Sequence, residues 1–196
     1  MIEPPTKVAV TVRRAQPEDA AVLAAIHVAA WHETYTGLLP DDMIAVLTVA
    51  VRRTWWAQLL SNPPTALRGA TYVAELDGAA VGFGTCNSQR SDVLAAAGFD
   101  GEISSFYVLR AAQGRGIGQA LIVRMATRLQ QAGYQASGTW VLRANTPGRR
   151  FMKGFGGIQI EGPQAVRGHG RFTEIAYGWR DLASLTAACD PGSRPD

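Results

Sequence analysis

Residues 113–118 read Gln-Gly-Arg-Gly-Ile-Gly, three glycines at alternate positions, and no other stretch limits the fold so tightly. The residues in front, 102–109, are rich in β-formers: Ile103, Phe106, Val108 and Leu109, with Glu102 at the start. Those behind carry an apolar row at i+4 spacing, Ile117, Leu121, Met125 and Leu129, and Gly133 closes it. The prediction is a buried strand, a tight turn and a long helix. A glycine-rich turn feeding a helix N-terminus leaves several backbone N–H groups unpaired beside the positive end of the helix dipole. That corner is a phosphate cradle.

The spacing narrows which phosphate. A P-loop requires Gly-x4-Gly-Lys-Ser/Thr, and no lysine lies near the turn. A dinucleotide fingerprint requires a glycine where Gln119 stands, and an acid about 20 residues on that the strand predicted at 139–143 lacks. The pattern Gln/Arg-x-x-Gly-x-Gly/Ala is met by Gln113, Gly116 and Gly118. Preceded by E-I-S-S-F-Y-V and followed by an amphipathic helix, it resembles the pyrophosphate motif of the GNAT superfamily of acyl-CoA-dependent N-acyltransferases.

With 196 residues the chain suits one domain, expected over 1–196 with a core at about 8–181 and an unordered tail at 190–196. No apolar run approaches the length of a membrane span, and the first seven residues are no signal peptide. Cys86 and Cys189 lie far apart without metal-ligand spacing, so no metal site is expected and a reducing cytoplasm is the expected location. The net charge of +3 comes from arginines scattered as singles and pairs, with no basic run interleaved with aromatics, so nucleic-acid binding finds no support.

Along the chain, a strand at 8–14 precedes a helix opened by Pro17-Glu18-Asp19, for which Gln16 is a poor cap. A loop holding Gly37 and Pro40 leads to a second helical stretch, interrupted near 48–51 and stopped at Asn62-Pro63-Pro64. Strands at 71–75 and 81–87 meet through Asp77-Gly78, a hairpin signal. Residues 91–101 read as loop. A short helix opens at Thr146-Pro147, strands at 158–161 and 172–179 close the chain, and 162–170 lies between them as a mobile loop.

This order is similar to that of GNAT proteins over roughly residues 8–181. Trp31-x3-Tyr35-x-Gly37-x-Leu39-Pro40 resembles the first-helix signature of a set of bacterial acetyltransferases, and Asn145 with Arg149-Arg150-Phe151 resembles their cofactor-facing segment. The resemblance implies an α/β fold: a twisted, mixed sheet of about seven strands with helices on both faces. The strands at 102–109 and 139–143 would splay apart around acetyl-CoA. Backbone groups of Gln113, Gly114, Arg115, Gly116, Ile117 and Gly118 would hold the pyrophosphate, with Val108 and Asn145 along the pantetheine. Arg110 and Arg115 read equally as phosphate ligands or solvated loop arginines, and Asn145 equally as a helix cap.

By the same resemblance Glu102 is a general base or amine-binding acid, and Trp31, His32 and Tyr35 line the acceptor pocket, although Trp31 also reads as a packing residue. Relatives place a tyrosine, the acid for the leaving thiolate, where this chain has Met152, which has no proton to give. Either Tyr107, Tyr177 or Tyr35 replaces it, or the thiolate leaves without an acid. The implied activity is acetyl transfer from acetyl-CoA to a primary amine of a small molecule or peptide, by direct attack in a ternary complex. The alternative is an acyl-CoA-binding regulatory module without catalysis. Homodimerisation through the sheet edge or the late strands is expected by the same analogy, since residues 172–179 offer aromatic, β-rich material there.

Overall fold

The computed structural model describes residues 9–63, 69–167 and 172–187. Its elements run β1 (Val10–Arg14), α1 (Ala20–Tyr35), α2 (Asp41–Ala45), α3 (Val49–Ser61), β2 (Ala70–Leu76), β3 (Ala79–Ser88) and α4 (Asp92–Ala96). Then come β4 (Gly101–Val108), α5 (Ile117–Gln131), β5 (Ser137–Leu142), α6 (Thr146–Gly154), β6 (Ile158–Arg167), β7 (Phe172–Trp179) and α7 (Leu182–Ala187). The strands form one seven-stranded sheet in the order β1-β2-β3-β4-β5-β7-β6. Every neighbouring pair is antiparallel except β4 and β5. This is the mixed sheet that the resemblance implied.

Local chemistry explains most of the boundaries. Asp77 and Gly78 take φ of 50° and 80°, the left-handed pair a two-residue hairpin needs, and they join β2 to β3. The interruption foreseen near 48–51 falls at Thr48, whose hydroxyl caps α3 by accepting from the Val51 N–H. Gln16 is indeed a weak cap. Its backbone N–H instead donates to Asp19 at 2.7 Å, and Arg13 grips that carboxylate through both terminal nitrogens at 2.7 and 2.8 Å. The Arg13 bond holds the Asp19 carboxyl below its ordinary range, so the start of α1 is tied to β1.

Three packing layers fill the two faces. The i+4 row of α5 is buried against one face, together with Tyr177 and Trp179 of β7. On the other face Leu23, Ala24 and Ile26 of α1 meet Trp56 of α3 and Phe83 of β3. Further along the same face, Leu94 and Phe99 pack on Ala136 and Ala176. Leu94 belongs to α4, so the stretch expected as loop carries a helical turn that plugs the sheet below β5 and β7. The strand expected at 158–161 extends to Arg167, taking up residues 162–167 of the expected loop, and α7 had no signal in the periodicity. Residues 168–170 and the tail at 190–196 lie outside the described residues.

His27 sits inside the α1–α3 layer, with ring centroids 5.2 Å from Phe83 and Tyr107 and 6.0 Å from Trp56. Burial, with a smaller push from Arg52, lowers its pKa from 6.5 to about 4. The unfolded chain takes up this proton near pH 6.5 but the folded chain only near 4. Its contribution to stability is therefore complete above pH 6.5 and is lost as the pH falls towards 4. A His27→Phe variant is expected to melt with a shallower dependence on pH across that window. A slope identical to wild type would remove His27 as its source.

Candidate active site

The site begins where two parallel strands part. β4 and β5 pair only at Gly101↔Ser137 and Glu102↔Gly138. Beyond that point β5 pairs with β7 and β4 with β3, and the facing edges have no strand between them. β4 is also bulged: Ile103 pairs with Cys86 and Ser105 with Thr85, so Ser104 is an extra residue. The Ser104 hydroxyl lies 2.7 Å from the Thr85 hydroxyl and accepts from Asn87 Nδ2 at 3.0 Å. A cavity of about 890 Å³ fills the opening, running from the glycine turn to Tyr35 and Tyr107.

At one end Gly114 and Gly116 take φ of 74° and 79°, and an added Cβ at either would meet no atom within 4 Å. Both turns of backbone therefore face open space at the N-terminus of α5, where Gly116 is the cap. Gly118 differs. A Cβ there would lie 2.7 Å from the Phe151 ring, so packing alone requires a glycine here. Phe151 stacks on Phe106 at 5.0 Å and meets Phe155 at 4.7 Å, giving the cavity an aromatic wall on the α5 side.

The residues expected at the cradle divide into two groups. Val108, Gln113, Gly114, Gly116, Ile117, Gly118, Arg110 and Asn145 all line the cavity. Arg115 is exposed and stands outside the wall. Gln113 turns its amide inward, donating to the Val108 carbonyl at 3.0 Å and clipping the turn onto the end of β4. Arg110 is bound to α1: its backbone N–H donates to the Glu33 carboxylate at 2.7 Å and its guanidinium to the Glu33 carbonyl. Asn145 both lines the cavity and caps α6, accepting from the Gly148 N–H at 3.0 Å. Glu33, Thr34 and Trp140 line it too, and no motif marked them.

Towards the α1 face of the sheet, Tyr35 and Tyr107 share a hydrogen bond. Burial raises both hydroxyls above the ordinary tyrosine value, Tyr107 far more, so both keep their protons near neutral pH. Tyr177 is not available here. Its hydroxyl accepts from Arg149 and donates to Gln159, and it lies off the cavity wall. Met152 does line the cavity, so the position of the usual tyrosine is filled by a thioether.

Besides Arg115 and Tyr177, three more expected residues are not brought to the cavity. Glu102 lies at the closed end, where β4 and β5 still pair, and its carboxylate accepts from Arg90 Nε at 2.8 Å and Nη2 at 2.9 Å. That bidentate pair leaves no geometric support for a base at Glu102. His32 is exposed and off the wall. Trp31 packs on Tyr35 at 4.4 Å and supports the pocket from behind. Among the described residues no group of three His, Cys, Asp or Glu side chains could hold a metal, and no helix is long and apolar enough to cross a membrane.

A splayed mixed sheet with a left-handed glycine turn at its opening defines an acyl-CoA-type transferase fold. The chain belongs to the acetyltransferase (GNAT) family, whose pattern matches residues 28–156. It is 29% identical to the uncharacterized N-acetyltransferase YuaI of Bacillus subtilis (strain 168) over 176 residues, 90% of this chain and 96% of that one. Its fold is similar to the PaiA N-acetyltransferase of Thermoplasma acidophilum in complex with coenzyme A, with TM-score 0.70 and 16% identity over 87% of this chain and 99% of that one. YncA of Salmonella typhimurium with acetyl-CoA matches with TM-score 0.63 and 21% identity over 96% of this chain and 98% of that one.

The two glycines are expected to fail differently. Gly116→Val puts a β-branched side chain at positive φ and into open space, so coenzyme A affinity should fall at least about tenfold, with a modest loss of melting temperature. Gly118→Val must displace Phe151 from its stack and should cost about 1–3 kcal/mol of stability as overpacking does. Calorimetry and thermal melts on both variants check this. Equal behaviour would contradict the separate roles.

Proposed function

We propose that the protein is an N-acetyltransferase that moves the acetyl group of acetyl-CoA to a primary amine by direct attack in a ternary complex. The observation that carries this reading is the opening between β4 and β5, with the glycine turn and a tyrosine pair both on its wall. Its residues suit the co-substrate. The exposed N–H groups at Gly114 and Gly116 suit a pyrophosphate, and the unpaired edges of β4 and β5 suit the amides of a pantetheine arm lying between them as a third strand. Acetyl-CoA supplies the activated thioester.

What this chain adds is donors at the far end. Tyr35, backed by Tyr107, offers a proton-bearing hydroxyl where a departing thiolate needs one, and it stands in for the tyrosine absent at Met152. Met152 favours the second reading, a binding module without chemistry. The hydroxyl pair on the opposite wall weighs against it.

Release of free thiol from acetyl-CoA, measured across a panel of primary amines, is expected for at least one acceptor. Coenzyme A bound with no thiol release on any amine would favour the binding module, and no binding at all would defeat both readings. With an active acceptor, Tyr35→Phe is expected to lower kcat by about 10²-fold or more while leaving the KM for acetyl-CoA nearly unchanged. A full-rate Tyr35→Phe enzyme would place the acid elsewhere.

A further inference from the structure

A break in the sheet sets the position of Ser104 on the cavity wall. Ile103 and Phe106 both pack with the α5 layer, which strict alternation forbids for residues three apart. The bulge removes the conflict by taking up one residue, and re-aiming a side chain is what a bulge beside a site does. On β3, Phe83 packs with the α1–α3 layer, so Thr85, two residues on, faces that side too. The Ser104 hydroxyl, 2.7 Å from that of Thr85, is drawn to the same side while Ser104 stays on the wall.

Counting hydrogens shows what this hydroxyl can do. Thr85 is buried, and its oxygen accepts from the Ser105 N–H at 2.9 Å. Its own hydrogen needs an acceptor, and among the described residues only the Ser104 oxygen takes it. Ser104 therefore accepts from Thr85, and also from Asn87 Nδ2 at 3.0 Å. Both lone pairs of its oxygen are then used, and its O–H is left to donate. Among the described residues nothing accepts it, and Ser104 borders the cavity. Two hydrogen bonds received by the oxygen polarise the O–H and strengthen the bond it gives.

The depth suits the acyl end of a bound thioester. β4 and β5 last pair at Glu102↔Gly138, so Ser104 lies two residues inside the opening, near its closed end. The glycine turn follows the other end of β4, beyond Val108. Val108 and Ser104 are four residues apart with one step lost to the bulge, about 10 Å of strand. An arm anchored by its pyrophosphate at the turn and extended along β4 carries its thioester towards Ser104.

We propose that the Ser104 hydroxyl donates a hydrogen bond to the carbonyl oxygen of the bound thioester and stabilises the negative charge that gathers there during attack. The inference rests on the acetyltransferase reading. The neutral amine nitrogen forms the C–N bond to the carbonyl carbon, and the π pair moves onto oxygen, where Ser104 donates without giving up its proton. The carbonyl re-forms as the C–S bond breaks, and the pair leaves on sulfur, which takes a proton from Tyr35. The nitrogen's surplus proton goes to solvent, and Tyr35 is reprotonated from solvent. Thr85 and Asn87 are positioning residues: they hold the Ser104 oxygen so that its hydrogen is free for the cavity.

Ser104→Ala and Ser104→Thr test the proposal, with coenzyme A binding as the check on fold and cradle. Coenzyme A has no carbonyl, and both variants are expected to bind it as wild type does. The first measurement is the infrared carbonyl stretch of isotope-labelled acetyl-CoA bound without an acceptor. A hydrogen bond lowers that frequency, so the band should move up in Ser104→Ala and stay near wild type in Ser104→Thr. An unmoved band in Ser104→Ala, or equal movement in both variants, overturns the inference whether or not any amine turns over. The second is thiol release with tyramine, spermidine and a lysine peptide. Ser104→Ala should lose about 10²-fold in kcat with the KM for acetyl-CoA nearly unchanged, and Ser104→Thr should recover most of it. A full-rate Ser104→Ala enzyme overturns the inference and leaves the acetyltransferase reading standing. If wild type acetylates none of the amines, that counts against the acetyltransferase reading, and the infrared band alone decides the Ser104 contact. Should Ser104→Ala fail to bind coenzyme A, Ser104→Cys, with its weak S–H donor, replaces it in both measurements and should shift the same way by less.

Discussion

Everything distinctive in this molecule follows from the parting of two parallel strands. β4 and β5 hold each other for two residues and then separate, while each keeps its antiparallel neighbour on the far side. A β-strand presents N–H and C=O groups on both edges, and buried groups of that kind are rarely left without a partner. The sheet is therefore stable on both flanks and incomplete in the middle. The incompleteness has the shape of an extended chain carrying amides. α5 contributes the other half of the device, because the crossover that links two parallel strands brings a helix N-terminus to the mouth of the gap.

The two sides of the opening have different chemistry. Towards α5 and α6 the wall is aromatic and backbone-rich: Phe106, Phe151 and Phe155 in contact, glycines at the turn, and side chains such as Gln113 and Asn145 spent on holding the loops. Towards α1 it is polar, with Thr34, Tyr35 and Tyr107 on the wall and His27 and Arg52 behind them. Behind the wall several donors are buried without partners among the described residues: Trp31 Nε1, Arg52 Nε and Trp56 Nε1. His27 and Trp31 stand one turn apart on α1, and Arg52 and Trp56 one turn apart on α3, so the polar layer is set by an i, i+4 repeat on each of two packed helices. The layer keeps the tyrosine hydroxyls in a low-dielectric setting where proton position matters most.

The sequence made the α5 half of this arrangement legible because its signals are local. A β-rich run, alternate glycines and an i+4 apolar row each lie within a few residues of one another, and each dictates backbone geometry directly. The hairpin at Asp77-Gly78 and the helix break at Thr48 were readable for the same reason. The other half depends on long-range register. Tyr35 meets Tyr107 only because α1 lies across β4, and no spacing in the chain encodes that contact. Glu102 drew attention as an acid at the mouth of a strand, but the pairing with Gly138 puts it at the closed end, beside Arg90, which no motif marked. Gly118 matched the motif for a reason other than the expected one, since Phe151, 33 positions later, occupies the space a side chain would need.

Met152 gains its meaning from that asymmetry. A tyrosine at this position would place a hydroxyl on the α6 side, which carries the Phe106–Phe151–Phe155 rings. Here the position is part of the apolar wall, and the hydroxyls stand on the α1 side, where one tyrosine donates to the other. On the proposed reading the donor stands across the gap, and the α6 side has no reason to be polar. The Phe106–Phe151–Phe155 cluster can then close over Gly118 and fix α6 against α5 without burying an unpaired hydroxyl. Hydroxyls on one face, apolar packing and backbone amides on the other, is an arrangement in which, on the proposed reading, the loss of a familiar residue at one position is matched by what stands opposite it.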